Sequence, residues 1–301
     1  MTPEQRVRRR GERSAAERSR AERSCTERSR AERSGFSLRG KRVLVTGSDR
    51  GIGKAVALGF AAEGARIALH GLATPEEAEA VVEEMLDAGS IEARFFTGDL
   101  RDPRQVSALM ERVAAWGALD VLVNNAGIQS TQPLADVSTE VWNDIIAVNL
   151  SAPFHTMRHA LPRMAEAGYG RVINIASVHG LVASVHKSPY VAAKFGLVGL
   201  SRVAALEYAP LGTAKSGGIT VNCICPGWVD TALIAPQIDE RRQSLGVSRQ
   251  EALEGMLAEK QPSRRLSSPD EIARLARWLC APEAHNITGT ALPVDGGWTA
   301  Q

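Results

Sequence analysis

Residues Lys41 to Gly53 read K-R-V-L-V-T-G-S-D-R-G-I-G. Lys41 to Thr46 is a short apolar run of strand type, and Lys54 to Glu63 reads as an amphipathic helix. The turn between them carries glycines at 47, 51 and 53. Such a turn lets the backbone approach a pyrophosphate, whose charge then rests at the positive end of the following helix. A lone glycine cluster is often only a turn. Here, however, Leu119 to Val123 runs into Asn124-Asn125-Ala126-Gly127, and Ala93 to Thr97 runs into Asp99-Leu100. Three strand ends carrying small or polar residues suit a ligand crevice along the carboxyl edge of a parallel sheet.

The rest of the chain repeats that strand–helix rhythm. Strands are expected near 42–46, 66–70, 92–97, 119–124, 171–176, 219–224 and 290–294. Helices are expected near 51–63, 74–88, 102–116, 138–167, 189–209 and 269–280. Regular alternation implies right-handed crossovers and a parallel sheet covered on both faces. Residues 231 to 265, polar and mixed, break the rhythm, and an excursion of that length is usually functional.

Ser177 to Lys194 reads S-V-H-G-L-V-A-S-V-H-K-S-P-Y-V-A-A-K. Ser188 and Pro189 read as an N-cap and first helical residue, which puts Tyr190 and Lys194 one turn apart on one helix face. An ammonium beside a phenol favours the phenolate, lowering a pKa normally about 10. Tyr190 is therefore a candidate general acid/base, and Ser177 could hydrogen-bond the same substrate oxygen. The Tyr-x-x-x-Lys spacing alone occurs by chance on many exposed helices.

Together, T-G-x-x-x-G-x-G from Thr46, N-N-A-G from Asn124, Ser177, Tyr190-x-x-x-Lys194 and Pro226-Gly227 resemble the short-chain dehydrogenase/reductase family. The resemblance covers roughly residues 36 to 301. It implies a Rossmann-type doubly wound α/β fold with a seven-stranded parallel sheet, order 3-2-1-4-5-6-7, and helices on both faces. It also implies a nicotinamide cofactor, a homotetramer, and a mobile substrate lid over residues 231–265, while the reduced cysteines of the chain point to the cytoplasm. The catalytic tetrad would be Asn149, Ser177, Tyr190 and Lys194. In that scheme Tyr190 exchanges the alcohol proton, Lys194 supports the phenolate and the nicotinamide ribose, and Ser177 orients the oxygen. Asn149 would kink or hydrate the long helix so that a water chain reaches Lys194. Cofactor contacts carried over by motif are Thr46, Gly47, Arg50, Gly51, Ile52 and Gly53 at the phosphates, and Asp99 and Leu100 at the adenine. Asn125, Ala126, Gly127, Pro226, Gly227, Val229 and Thr231 follow toward the nicotinamide, with Tyr190 and Lys194. Relatives separate NAD from NADP just after the second strand, by an aspartate or an arginine. Leu69-His70-Gly71-Leu72 offers neither. Arg50 is a counter-signal, since a basic residue there can meet a 2′-phosphate; the reading favours NAD over NADP.

Family membership does not name a substrate. Gln129, His179, Lys187 and Gln237 would converge on one side of Tyr190 and Ser177, and two amides, an imidazole and an ammonium suit a small carboxylate. Trp228 and Trp298 could supply an apolar wall. As a set, with the N-A-G-I-Q, C-P-G-W-V and D-G-G-W-T-A-Q segments, these resemble the bacterial D-3-hydroxybutyrate dehydrogenase branch of the family. That likeness implies reversible oxidation of D-3-hydroxybutyrate to acetoacetate. Two features depart from it: Asp49-Arg50 in the glycine turn, where small uncharged residues are expected, and an insertion around Gly212 to Gly218. The alternative enzyme is an NADPH-dependent 3-oxoacyl-thioester reductase. A catalytically idle dinucleotide-binding regulator is a third reading, and a nucleic-acid scaffold built on the arginine-rich start of the chain is a fourth.

With 301 residues and 44% apolar content, the chain can bury one large core. It has no apolar run of membrane-spanning length. Cys25, Cys223, Cys225 and Cys280 lack zinc-ligand spacing and read as reduced, buried thiols, with no metal site expected. The net charge of +2 hides an asymmetry, because residues 1–36 hold eleven arginines against six glutamates. Residues 11–35 are five pentapeptides of the AERSR type, which put no apolar stripe on a helix and offer almost nothing to bury. A disordered extension is expected there, before a single dehydrogenase domain over 37–301. Its glutamates argue against a mitochondrial transit peptide, and nucleic acid is not the expected partner. Deleting residues 1–36 should leave a soluble enzyme with unchanged turnover, measured as dinucleotide reduction; loss of soluble activity rejects this reading.

Overall fold

The seven strands are Arg42–Val45 (β1), Arg66–Gly71 (β2), Glu92–Thr97 (β3), Val121–Asn124 (β4), Tyr169–Ile175 (β5), Gly218–Pro226 (β6) and Ala291–Val294 (β7). In the computed structural model, which describes residues 38–213 and 217–300, they form one sheet in the order β3-β2-β1-β4-β5-β6-β7. Every pairing is parallel, with Val43 opposite Ile67 on one side and Val121 on the other. From Arg39 onward the chain forms one compact unit. The extension expected over residues 1–36 lies outside the described residues, as does the middle of the insertion after Gly212.

Strand burial explains why the pattern was readable. Val43, Leu44, Val45, Val121, Leu122 and Val123 are all fully buried, because a sheet covered on both faces needs continuous apolar runs rather than alternation. The covering helices are Gly51–Ala61 (α1), Pro75–Ala88 (α2), Pro103–Trp116 (α3), Thr139–Ile146 (α4), Ala152–Ala167 (α5), Ser188–Tyr208 (α6), Ala235–Leu245 (α7), Arg249–Lys260 (α8) and Pro269–Trp278 (α9). Helix α1 packs against α9 and α2, and α3 packs against α5. Caps set several starts: Thr74 with Glu77 and Ser268 with Glu271 form reciprocal capping boxes, and Asp102 accepts from the Arg104 N–H.

Every expected strand and helix end falls within two residues of the observed one except in two places. The single helix expected over 138–167 is α4 and α5 joined by one π-helical turn, Ala147–Ser151. Pro153 accounts for the break, because it has no N–H to return to the Asn149 carbonyl four residues back. The excursion over 231–265 contains α7 and α8, which share a small core of Ile234, Ile238, Ala252 and Met256. Its apolar stripe is too thin to stand out by periodicity. The Ser248–Glu251 capping box that opens α8 was the available signal.

Cys223, Cys225 and Cys280 are buried free thiols, as expected; Cys25 lies outside the described residues. Among the described residues no helix is long and apolar enough to cross a membrane, and no group of His, Cys, Asp and Glu could hold a metal ion.

The β1–α1 turn is held shut by packing. A Cβ on Gly53 would lie 2.0 Å from the Gly47 carbonyl oxygen and 2.4 Å from Asn125 Nδ2. Gly53→Ala should cost about 1–3 kcal/mol and abolish dinucleotide binding, read by thermal melting and a dinucleotide titration. An unchanged melting temperature rejects this account of the turn.

Candidate active site

A cleft of about 760 Å³ runs along the carboxyl edge of the sheet. At one end it is lined by Asp49, His70 and Asp99, at the other by Ser177, Tyr190, Lys194 and the segment Pro226 to Ile234. Its centre is the β1–α1 turn. Thr46 Oγ1 accepts from the N–H groups of Asn125 (3.0 Å) and Ala126 (3.1 Å). The Asn125 amide donates to the carbonyls of Thr46 (3.0 Å) and Gly47 (2.8 Å). These bonds span the gap between β1 and β4, where the strand order reverses.

The turn is fastened on its other side by a residue whose only apparent feature in the sequence is that it is neither an acid nor an arginine. His70 is buried at the end of β2. Its Nε2 donates to the Gly98 carbonyl (2.9 Å), which can only accept, so Nδ1 is bare and accepts from the Gly47 N–H (3.2 Å). Burial pushes its pKa down and keeps it neutral. The backbone agrees: Ser48 N–H donates to the His70 carbonyl (2.8 Å), and His70 N–H donates to Ser48 Oγ (2.9 Å). A strand buried on both faces carries no alternation that would have singled this histidine out.

The turn fits a dinucleotide phosphate. Arg50 occupies the N-cap of α1 without a side-chain cap bond, and no acid stands in the first turn. The first N–H groups of the helix therefore have no side-chain acceptor. Gly47 and Gly51 have φ of +61° and +55°, and the nearest atom to a Cβ on Gly51 would be Thr231 Cγ2 across the cleft at 3.6 Å. A Cβ on Gly127 would point at Asn149 Oδ1 (3.3 Å) and Lys194 Nζ (3.8 Å). Asp99 is already engaged: the Arg101 guanidinium pairs with its carboxylate at 2.7 Å, the Arg101 N–H adds 2.9 Å, and these bonds hold its carboxyl below the usual range.

At the inner end, Tyr190 and Lys194 lie on α6, which begins at Ser188 with Lys187 as N-cap. The Tyr190 phenol hydrogen-bonds the Ser177 hydroxyl, yet burial wins and pushes it up to about 12. This corrects the expectation that Lys194 lowers it. The Lys194 ammonium donates to the Ile175 carbonyl (2.8 Å), stands 5.6 Å from the phenol ring centre, and is itself pulled down by burial to about 8. Asn149 sits in the π turn, fully buried. Its Oδ1 accepts from the Ile128 N–H (2.9 Å) and its Nδ2 donates to the Ile128 carbonyl (2.8 Å).

The six residues expected around a carboxylate are connected. Lys187 Nζ donates to Gln129 Oε1 and Gln237 Oε1, both at 3.0 Å, and Gln129 Nε2 donates to the Leu233 carbonyl (3.0 Å). Gln129 lines the cleft, and the others reach it or Tyr190 through contacts. Gln237 Nε2 and Trp228 Nε1 are buried with no partner. Burial brings Lys187 down to about 8, partly offset by Glu240. His179 packs edge-on against Tyr190 (6.0 Å) and Trp298 (5.5 Å), and Trp298 meets Trp228 at 5.5 Å. Burial, with the Lys187 charge, pulls His179 to about 4. Its Nδ1–H donates to the Val182 carbonyl (3.3 Å), which offsets only part of that lowering, so the neutral imidazole brings shape rather than charge.

This sheet order, glycine turn and Ser177–Tyr190–Lys194 grouping define a nicotinamide-dependent oxidoreductase. The model of the short chain dehydrogenase family matches residues 41–242, and the chain belongs to that family. It is 42% identical to a D-beta-hydroxybutyrate dehydrogenase of Rhizobium meliloti (strain 1021), over 87% of this chain and 99% of the relative. A 3-oxoacyl-acyl-carrier-protein reductase of Escherichia coli (strain K12) is 36% identical over 87% of this chain and 98% of its own. Among solved structures, a candidate gluconate dehydrogenase of Agrobacterium tumefaciens superposes with a TM-score of 0.77 at 32% identity, covering 88% of this chain and 98% of that one.

Proposed function

We propose that the protein catalyses the reversible, NAD-dependent oxidation of D-3-hydroxybutyrate to acetoacetate, with Asn149, Ser177, Tyr190 and Lys194 as its catalytic group. The observation that carries this reading is the buried Lys187 ammonium, held by two amide oxygens beside Tyr190. An ammonium has three donors, so one N–H remains for a substrate carboxylate, and the orphaned Gln237 Nε2 and Trp228 Nε1 supply two more. Trp298 and His179 then close the apolar side. The likeness to a D-beta-hydroxybutyrate dehydrogenase supports the same choice.

When bound, the nicotinamide supplies the hydride acceptor, and in its oxidised form a positive charge that favours the phenolate. Tyr190 Oη takes the hydroxyl proton in oxidation and returns it to the carbonyl oxygen in reduction. Ser177 Oγ hydrogen-bonds that same oxygen, where charge develops. Lys194 stands 5.6 Å from the phenol ring centre, and the two N–H groups it does not give to the Ile175 carbonyl are available to the ribose. Asn149 positions rather than touches: its clamp on Ile128 fixes the Gly127 backbone against Lys194. The turn from Thr46 to Gly53 holds the pyrophosphate, and the segment over 231–265 covers the substrate. Exposed Phe195, Val203 and Leu206 on α6 support the homotetramer in this reading, in the cytoplasm.

A thioester reductase using NADPH is the second reading, favoured by Arg50 and by the 36% relative. It is weakened because Arg50 is paired with Asp49 (3.3 Å). Comparing turnover on D-3-hydroxybutyrate with that on D-3-hydroxybutyryl-CoA separates the two.

Tyr190→Phe should keep its fold and its NAD affinity while losing about 10²–10⁴-fold in turnover; substantial residual turnover removes Tyr190 from its role. Lys187→Ala should raise KM for 3-hydroxybutyrate by about ten- to a hundredfold, the worth of one hydrogen bond to a charge. A KM that stays put would sink the carboxylate pocket.

A further inference from the structure

Asp49 and Arg50 are the charged pair that neither the glycine turn nor the tetrad explains. We propose that Asp49, delivered from the β1–α1 turn, is the carboxylate that holds the adenosine-ribose hydroxyls of the dinucleotide and selects against a 2′-phosphate. This rests on the dinucleotide reading of the cleft.

The end of β2 lacks an acid. Dinucleotide folds commonly place an acid at the end of the second strand for the ribose hydroxyls. Here β2 ends in Gly71, followed by an exposed Leu72. The vacancy is filled from elsewhere. A Cβ on Gly71 would stand 2.9 Å from Asp49 Oδ1 and 3.0 Å from its Cγ. The Asp49 carboxylate thus occupies the space into which a side chain at the strand end would grow, and the two are mutually exclusive.

Asp49 is brought there by the His70 anchorage. Four hydrogen bonds fasten Gly47 and Ser48 to His70, one residue before Gly71. With residues 47 and 48 tied to the strand, residue 49 must emerge over its last position. Both Asp49 and Gly71 line the cleft. The Asp49 side chain is 17% exposed, whereas that of Arg50 is 81% exposed.

Charge gives the selectivity. Arg50 Nε pairs with Asp49 Oδ2, leaving Oδ1 over Gly71. A carboxylate oxygen accepts two sugar hydroxyls readily but repels a phosphate dianion at the same place. Arg50, a phosphate-binding residue when free, has its charge offset by the neighbour that does the repelling. The pair works as a unit, so the arginine does not confer a preference for NADP.

The test is binding to the full chain without substrate, with NAD⁺ and NADP⁺ titrated separately by calorimetry. The wild-type chain should bind NAD⁺ more tightly. Asp49→Ser should weaken NAD⁺ by roughly ten- to a hundredfold, tighten NADP⁺, and leave the melting temperature unchanged. The double variant Asp49→Ser/Gly71→Asp, which moves the carboxylate onto the strand end, should recover selectivity for NAD⁺. If Asp49→Ser binds both dinucleotides with the wild-type ratio of Kd values, the assignment is overturned. Binding of neither dinucleotide by the wild-type chain is a separate result, which removes the cofactor reading and this assignment with it.

Discussion

The Thr46 and Asn125 side chains hold together the point at which the sheet reverses its order. Parallel strands β1 and β4 run side by side, but their following helices leave toward opposite faces, so their ends splay apart. The resulting crevice would be a loose loop junction without a transverse tie. Four hydrogen bonds supply it, two accepted by Thr46 Oγ1 and two donated by Asn125 Nδ2. Gly53 has no Cβ because that amide needs the space. The helix end aimed into the cleft, the stitching to His70 and the position of Gly127 under Lys194 all depend on this tie.

Burial is the second organising force, and it acts on the ionisable groups together. Tyr190 rises to about 12 while Lys187 and Lys194 fall to about 8. All three shifts favour the neutral form, because a low-dielectric surrounding penalises charge of either sign. The inner cleft is therefore poised to accept charge from whatever enters it. An anion would strengthen the ammonium form of Lys187, and a cationic ring would favour the phenolate of Tyr190. An ammonium lowers a neighbouring phenol's pKa only where desolvation does not outweigh it, and at Tyr190 desolvation wins.

Legibility in the sequence followed the physics of each element. The strands were visible because buried parallel strands are unbroken apolar runs, and the capped helices because Thr74, Asp102 and Ser268 mark their starts. The π turn was hidden: periodicity carries across Pro153, and only the missing N–H betrays the break. Helices α7 and α8 were hidden because four apolar side chains make no stripe. Of the residues proposed for the substrate side, His179, Lys187 and Gln129 flank recognisable motifs, whereas Gln237 falls in the 231–265 segment. Their connectivity was not legible. That Lys187 already holds both amides, and that His179 is neutral, are properties of three-dimensional packing.

The bridge from Lys187 and Gln129 to Gln237 and the Leu233 carbonyl joins the sheet-bearing body to the 231–265 segment. Any outward swing of that segment must break both bonds at once and leave a buried ammonium short of an acceptor. In the proposed reaction, where this segment covers the substrate, the bridge would have to open for product to leave, and its strength would then set how long the pocket stays shut.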